Sequence, residues 1–320
     1  MNIVNASTIG LDIGGTKILG VAVDGTGSVV AERRRNSPEG FARVLEVAAE
    51  MIAEIGRAAG VMIAGVGVGI AGLVDNDGAL RYGPNIPDVV RAPVRAALLS
   101  RTGLPVVVDN DANVAAWGEV VLGAAAGVGN VLMVTLGTGI GGGMVLDGRV
   151  YRGANGFSGE IGHFTVERDG PMCACGERGH WEAIASGRAL GRMAQEEVAA
   201  GRGAAMLAVA RGDASLVDGH TVAAAAVGGD ADALVLLRRY ADNIALGLAG
   251  LANILDPERI VIAGGLVAMG GLLFEPLCEA FARHVEGVAY RPVIPIVPAA
   301  LGERAGAIGA ALLARSLVSA

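Results

Sequence analysis

The chain has 320 residues, enough for about two domains, and its 52% hydrophobic and 18% charged residues exclude intrinsic disorder and small disulfide-stabilised folds. The net charge is −7 and the longest Lys/Arg run covers only residues 33–35, so neither a nucleic-acid partner nor an anionic membrane partner is expected. Glycine contributes 51 residues without a collagen period, which indicates that many positions need it for backbone reasons.

Two features bear on location. The amino-terminal residues lack a basic segment followed by an apolar stretch, so no secretory signal is expected and a cytoplasmic protein is the default. Residues 58–74 and 120–146 contain no charged side chain, and the mean hydropathy is +0.53. Because glycine recurs through both stretches, we interpret them as buried strands with turns and not as membrane spans.

The first half of the chain alternates predicted strands and helices. It opens with a β-hairpin of residues 3–11 and 18–23, joined by a glycine turn. The elements predicted next are a helix at 40–59, a strand at 61–71, a helix at 89–102 before Gly103, a strand at 104–108 and a helix from about 112. This alternation is typical of the α/β class.

The opening pattern returns about 124 residues later, where strand 130–136, glycine turn 137–143 and strand 144–146 follow one another. Two copies of one motif favour two similar α/β domains. Residues 186–253 are predicted to be mostly helical and 259–263 to form a strand. We expect residues 1–115 to form the first domain, joined by a C-terminal helix at 304–320 that packs back on it, and residues 116–303 to form the second.

The two glycine turns are candidate phosphate sites. A glycine turn lets backbone N–H groups approach an anion closely, and an adjacent Thr hydroxyl adds a donor. The residues concerned are Gly14, Gly15 and Thr16 in the first turn and Gly137, Thr138 and Gly139 in the second. A single turn of this kind is more often only a tight hairpin, but the matched pair leaves both the hairpin and the phosphate interpretation open.

Carboxylates follow two of the apolar strands. Asp12 ends the first strand, where Mg²⁺ bound to phosphates would offset its burial; the alternative is that it caps its own turn. Asn110 and Asp111 end the strand at 104–108, at the edge where open α/β sheets place ligands. Asp111 is a candidate base for a hydroxyl nucleophile, and the local alternative is a helix N-cap.

His163, Cys173, Cys175 and His180 are four candidate metal ligands within 18 residues. They suit a closed, tetrahedral and therefore structural Zn²⁺ site; the alternatives are free thiols or a strained Cys-x-Cys disulfide. Cys278 falls on an apolar stripe with helical spacing and is predicted to pack in the core.

Six motifs, in this order, resemble those of the ROK family of sugar kinases. They are LDIGGTK at 11–17, VDNDAN at 108–113, LGTGIGGG at 136–143, GEIGH at 159–163, CACGERGHWE at 173–182 and IAGG at 262–265. They extend over nearly the whole chain, and their combination is much more specific than any one of them.

This resemblance implies an actin-like fold of two RNase-H-like α/β domains, and ATP-dependent phosphorylation of a hexose 6-hydroxyl, with glucose as the first expectation. Asp111 would be the catalytic base. The residues it places at ATP are Asp12, Gly14, Gly15, Thr16, Lys17, Gly137, Thr138, Gly139, Gly141, Gly142, Gly264 and Gly265, with Asp12 also serving Mg²⁺. Those it places at the other sugar hydroxyls are Asn85, Asn110, Glu160, His163 and Glu182.

The chain departs from the family at one metal ligand. The family pattern has a third cysteine where this chain has His180. Imidazole replaces thiolate on Zn²⁺ at a similar bond length, so we expect a His2Cys2 site. His163 would use one ring nitrogen for zinc and direct the other towards the sugar.

Other functions remain open within the family. Another acceptor sugar is one alternative, such as N-acetylmannosamine, fructose, allose or an amino sugar, and polyphosphate is an alternative donor. Some ROK proteins are sugar-responsive repressors, but these carry a helix-turn-helix domain of about 70 residues before the first glycine motif, which here begins near residue 12. A homo-oligomer, dimer or tetramer, is expected from the resemblance alone.

Overall fold

Two five-stranded β-sheets organise the described chain, which comprises residues 7–83, 89 and 91–317 of a computed structural model. The strands are β1 (Ser7–Ile13), β2 (Lys17–Val23), β3 (Val29–Asn36), β4 (Ile63–Ile70), β5 (Leu73–Val74), β6 (Leu80–Tyr82), β7 (Val106–Asn110), β8 (Val131–Leu136), β9 (Ile140–Leu146), β10 (Arg149–Val150), β11 (Arg259–Ala263) and β12 (Ile296–Pro298). The α-helices are α1 (Phe41–Ala59), α2 (Val94–Thr102), α3 (Asp111–Val121), α4 (Trp181–Ala185), α5 (Gly187–Ala199), α6 (Ala204–Val209), α7 (Gly219–Val227), α8 (Ala231–Leu255), α9 (Gly271–His284) and α10 (Ala305–Ala314).

The first sheet has the strand order β3-β2-β1-β4-β7. The strand β1 pairs antiparallel with β2 and parallel with β4, and β4 pairs parallel with β7. The predicted opening hairpin is therefore confirmed from residue 7 onwards, and residues 3–6 of its first strand lie outside the described residues. The sequence did not predict β3, because this edge strand is largely charged and half-exposed and lacks the apolar alternation of a strand with one buried face.

The second sheet has the order β10-β9-β8-β11-β12, which repeats the first position by position. The pair β8 and β9 stands where β1 and β2 stand, and β11 stands where β4 stands. The repeat predicted from the glycine motifs is thus present in the sheet order. The second turn is shorter than predicted: it covers residues 137–139, and Gly141 and Gly142 lie within β9.

Helices cover both faces of the first sheet. On one face, Met51 and Ile55 of α1 belong to the same buried cluster as Ile9 of β1. On the other face, Val21 of β2 packs against Ala307 of α10. This double burial explains why β1 and β4 are apolar without alternation.

Glycine allows α10 to lie directly on the sheet. A Cβ atom on Gly10 of β1 would overlap the carbonyl oxygen of Ala307, and one on Gly67 of β4 would overlap that of Ala310. The helix backbone therefore occupies the space that side chains of the sheet would fill. Part of the glycine excess serves this close packing and not a ligand site.

The chain divides into two compact units. Unit 1 contains residues 1–133, 143–159 and 299–320, and unit 2 contains residues 134–142 and 160–298. The helix α10 lies in unit 1, and residues 318–320 of the expected C-terminal helix lie outside the described residues. These limits differ from the expected division at residue 115, which stays a prediction.

The structure corrects two details. The helix predicted from residue 89 begins at Val94, because Pro93 disfavours helical backbone at the residue before it. Cys278 is exposed on α9 and does not pack in the core. The two uncharged stretches form β4, β8 and β9, and over the part of the chain that the structure describes every helix is too short or too polar to cross a bilayer.

Candidate active site

The turn between β1 and β2 presents its tip to solvent. The N–H of Gly14 donates to the carbonyl oxygen of Lys17 at 3.0 Å, which closes the turn, and both Gly15 and Thr16 are exposed. The Ser37 hydroxyl, just after β3, donates to the Gly14 carbonyl at 2.6 Å. A firmly held turn with exposed backbone at its tip is the arrangement that an anion site requires.

Two cations flank this turn and share one carboxylate. Lys17 Nζ lies 3.0 Å from Glu303 Oε2, and the Arg34 guanidinium lies 2.7 Å from the same oxygen. Their hydrogen bonds hold the pKa of Glu303 below its usual value. Lys17 and Arg34, which share this one carboxylate, form the positive edge of the turn. Glu303 lies 286 residues from Lys17, so no local sequence pattern could have indicated the pair.

Asp12 and Asp111 form an acidic pair in unit 1. Burial, and then the nearby Asp111 carboxylate, raise the pKa of Asp12 to about 7, while Lys17 opposes the shift. Gly306 of α10 lies against Asp12, since a Cβ atom there would come 2.6 Å from Oδ2. Two carboxylates with too little positive charge between them are the donor set that a divalent cation such as Mg²⁺ prefers.

Asn110, and not Asp111, is the N-cap of α3. Its Oδ1 accepts from the amides of Ala112 at 2.8 Å and Asn113 at 3.2 Å, and its Nδ2 donates to the carbonyl oxygen of Gly72 at 3.1 Å. The capping alternative for Asp111 is therefore wrong. The Asn110 side chain already makes three backbone hydrogen bonds, which leaves its predicted contact with sugar a prediction.

Asp111 is the first residue of α3. Its Oδ1 accepts from the amide of Ala112 at 3.0 Å. Burial raises the pKa of Asp111 above its usual value, and backbone hydrogen bonds, chiefly from Ala112, oppose the shift. A half-buried carboxylate with raised proton affinity, held at a helix start, is chemically suited to accept a proton from a hydroxyl group.

The second glycine turn, in unit 2, is fastened by the segment that follows the Cys/His residues. The amide of Gly187 donates to the carbonyl oxygen of Gly137 at 2.8 Å, and the amide of Ile140 donates to Glu182 Oε2 at 2.9 Å. A Cβ on Gly139 would overlap Glu182 Oε2, so the Glu182 carboxylate lies close against this turn. Thr138, at the tip, is exposed.

The four predicted metal ligands lie together. The ligand atoms of His163, Cys173, Cys175 and His180 are all within 4.8 Å of one another. His163 Nδ1 lies 3.8 Å from Cys173 Sγ, and His180 Nδ1 lies 3.2 Å from Cys175 Sγ. Both cysteines are free thiols, so the disulfide alternative is wrong. Two thiols and two imidazoles at these separations fit a tetrahedral Zn²⁺ ion, and His180 belongs to the set.

Two carboxylates border this cluster. Glu160 Oε2 lies 4.0 Å from His163 Nε2, so the two ring nitrogens of His163 face different partners. Glu182 Oε1 lies 3.6 Å from Cys173 Sγ while its Oε2 holds the glycine turn. Of the predicted sugar ligands, His163 therefore belongs to the metal cluster, and Glu160 and Glu182 border it.

The remaining predicted residues are placed as follows. Gly264 follows β11 with φ +98°, and a Cβ there would overlap the carbonyl oxygen of Leu136. Gly264 and Gly265 are both exposed. Asn85 lies outside the described residues. Sequence reasoning did not identify Asp109 and Arg152, which form a 2.7 Å ion pair next to Asp111.

The ROK family model matches residues 8–316. The chain belongs to the ROK family. It is 39% identical over 311 residues to a glucokinase from Streptomyces coelicolor, and the alignment covers 96% of this chain and 97% of that protein.

Two solved structures are similar over their full length. One is a ROK family glucokinase from Streptomyces griseus in complex with glucose and AMPPNP, with a TM-score of 0.85, 38% identity and coverage of 97% of this chain and 100% of that chain. The other is a ROK hexokinase from Thermus thermophilus, with a TM-score of 0.83, 39% identity and coverage of 98% and 99%. The expected actin-like sugar kinase fold is confirmed.

Proposed function

We propose that this protein is an ATP-dependent hexose kinase that phosphorylates the 6-hydroxyl of glucose. The observation that carries the proposal is the 38% identity, over 97% of the chain, to a glucokinase whose structure contains glucose and an ATP analogue. The local geometry supports it, because the six motifs fold into two glycine turns, an acidic pair and a His/Cys cluster.

Asp111 is the proposed catalytic base. Its carboxylate would accept the proton of the 6-hydroxyl as the oxygen attacks the terminal phosphorus of ATP. Asn85, Asn110, Glu160, His163 and Glu182 are the proposed ligands of the other hydroxyls. Carboxylate, amide and imidazole groups suit this task because each can pair with a hydroxyl and fix the ring's orientation.

The proposed nucleotide ligands are the two glycine turns together with Lys17, Gly141, Gly142, Gly264 and Gly265. The positive edge at Lys17 and Arg34 favours a polyphosphate over a neutral ligand. Bound Mg²⁺ supplies neutralisation of charge on the phosphates, and Asp12 is its proposed protein ligand. A cation bound at Asp12 would also offset the repulsion between Asp12 and Asp111. It would thereby favour the ionised form of the base.

The Cys/His cluster is the proposed site of a structural Zn²⁺, held by His163, Cys173, Cys175 and His180. A metal bound through Nδ1 would fix the tautomer of His163 and direct its Nε2 away from the cluster, on the side of Glu160. The cluster thereby serves the sugar ligands without taking part in the phosphoryl transfer.

We rank three alternatives below ATP-dependent phosphorylation of glucose: another acceptor sugar, polyphosphate as the donor, and a role as a repressor. The intact carboxylate at Asp111 favours catalysis over a binding role. We further propose that the protein is a homo-oligomer that binds hexose and ATP but no nucleic acid.

The test measures ADP release with a panel of hexoses that includes glucose, fructose, allose, N-acetylmannosamine and an amino sugar. ATP and polyphosphate are compared as donors, with sugar phosphate measured directly in the latter case. Glucose with ATP should give the highest kcat/KM. No turnover with any hexose and either donor, together with sugar-dependent binding to DNA, would contradict the proposal in favour of a repressor.

A further inference from the structure

Asp109 is a buried carboxylate beside the proposed base. Its side chain is only 4% exposed, and it is the penultimate residue of the edge strand β7. Its Oδ1 accepts from the amide of Asn110 at 2.8 Å and from Asn113 Nδ2 at 2.9 Å. These two donors lie on either side of Asp111, so Asp109 holds the strand-to-helix corner from which Asp111 projects.

The other oxygen of Asp109 holds a different segment. Oδ2 accepts from Arg152 Nε at 2.7 Å, and Arg152 opens a tight loop within unit 1. The amide of Ser158 donates back to the Arg152 carbonyl at 3.1 Å, and Asn76 Nδ2 donates to the carbonyl oxygen of Ala154 at 2.9 Å. The loop is therefore closed on itself, and it runs directly into Glu160.

We propose that Asp109 and Arg152 are positioning residues for phosphoryl transfer. One carboxylate fixes both the corner that carries Asp111 and the closed loop of residues 152–158, and all of these lie within unit 1. This inference rests on the proposed function, because it assigns the pair a task in that reaction.

The effect of the Arg152 hydrogen bond on the position of Asp109 can be separated from the effect of the Arg152 charge by substitution. A glutamine at this position would carry its Nε2 as many bonds from the backbone as arginine carries Nε, so Arg152→Gln keeps a donor to Asp109. Arg152→Met places a methyl group there and removes the donor. Both variants lose the positive charge, so the difference between them isolates the hydrogen bond.

The experiment compares kcat, the KM for glucose and the KM for ATP in the two variants. Misplacement of reacting groups by about 1 Å costs up to about a hundredfold in rate, so Arg152→Met should lose about tenfold or more in kcat/KM for glucose. The KM for ATP should stay within about twofold, and Arg152→Gln should stay within about threefold of the parent for glucose, because its donor restores the position.

Glu197 and Arg202 provide the matched control, because Arg202 Nε donates at 2.5 Å to a carboxylate that is 12% exposed. Arg202→Met and Arg202→Gln should both retain the parent kinetics. The proposal is overturned if Arg152→Met retains the kcat/KM for glucose. It is also overturned if Arg152→Gln or Arg202→Met loses as much of this kcat/KM as Arg152→Met does.

Removal of one partner from a buried pair leaves an unpaired charge that destabilises folding. If Arg152→Met does not fold, the Met and Gln variants are compared in a protein that also carries Asp109→Asn. The two double variants are then Asp109→Asn/Arg152→Met and Asp109→Asn/Arg152→Gln, and neither leaves an unpaired charge. Amide hydrogen exchange at residues 151–158 is measured in parallel and should be faster in the Met variant than in the Gln variant. This readout is independent of catalysis: a parent protein without kinase activity refutes the proposed function, whereas equal exchange refutes the link between Asp109 and the loop.

Discussion

Asp12 and Asp111 both have pKa values above the usual carboxyl range, but for different residue-level reasons. Repulsion from Asp111 adds to burial at Asp12, whereas helix-start amides partly offset burial at Asp111. The two carboxylates therefore lie in different electrostatic environments. Such a separation of environments is how two like side chains take different roles.

Asp111→Asn removes the proposed base while keeping the size of the side chain. We expect kcat to fall by about a hundredfold or more, since general bases contribute about 10²- to 10⁴-fold. Glucose binding, measured by calorimetry, should stay within a few fold of the parent. Near-normal turnover in the variant would exclude Asp111 as the base.

Asp12→Asn should change the pH dependence of stability in buffer without divalent cations. The folded protein holds the Asp12 proton up to a pKa of about 7, against 3.8 as the ordinary value, so the folded state binds more protons between these limits. The free energy of unfolding must then fall as pH rises through this window, by at most about 1.4 kcal/mol per pH unit. Asparagine does not ionise, so the variant should show a flatter dependence.

Urea unfolding at several pH values between about 4 and 8 measures this effect. The variant should retain some slope, because the pKa of Asp111 is also raised. A variant with the same slope as the parent would show that Asp12 does not titrate in this range.

At the scale of elements, glycine separates into positions that contact a neighbouring backbone and positions that do not. Gly67→Ala should destabilise the protein by about 1–3 kcal/mol or more, because its Cβ would overlap the Ala310 carbonyl of α10. Gly56, inside α1, is the control: its Cβ would lie 3.7 Å from the nearest atom of Ile63.

Gly56→Ala should stabilise the protein by about 0.5–1 kcal/mol, the usual gain when alanine replaces glycine in a helix interior. Chemical unfolding of both variants checks the pair. Equal effects of the two substitutions would mean that α10 does not contact β4 as closely as described.

The Cys/His loop should bind one metal ion, and its cysteines should be indispensable for that binding. Cys175→Ser should lose zinc and weaken glucose binding, because the metal fixes His163. Cys278→Ser is the control, since that thiol lies exposed on α9 outside the cluster. Elemental analysis and glucose titration check both variants, and a metal-free Cys175→Ser protein with unchanged glucose affinity would refute the coupling.

Local patterns predicted the elements that make the turns but not the contacts between distant segments. The hairpin of β1 and β2 and the Cys/His cluster follow from residues close in sequence, and the cluster assembles as predicted. The extent of the second glycine turn was predicted wrongly. Its last three glycines look like turn residues but lie in β9, where a Cβ on Gly143 would come 2.5 Å from the carbonyl oxygen of Ala112. Close approach to α3, which the sequence does not reveal, is the reason for glycine there.

For the whole molecule, the repeated sheet order is the main organising feature. Both sheets carry a hairpin at one side and strands that follow helices at the other, with a glycine turn at the end of the first strand of each hairpin. The sequence predicted this duplication because the motif of strand, glycine turn and strand occurs twice, about 124 residues apart. It could not predict the pair of Asp109 and Arg152, because the two residues lie 43 positions apart and no fixed pattern links them.

The position of α10 also determines the order in which the protein can mature during synthesis. The strands β1, β2 and β4 emerge from the ribosome first, but α10, which covers one of their faces, is translated only after all of unit 2. At roughly 5–20 residues per second, this apolar face stays uncovered for tens of seconds. The apolar face of the first sheet therefore has no covering helix until α10 has been made.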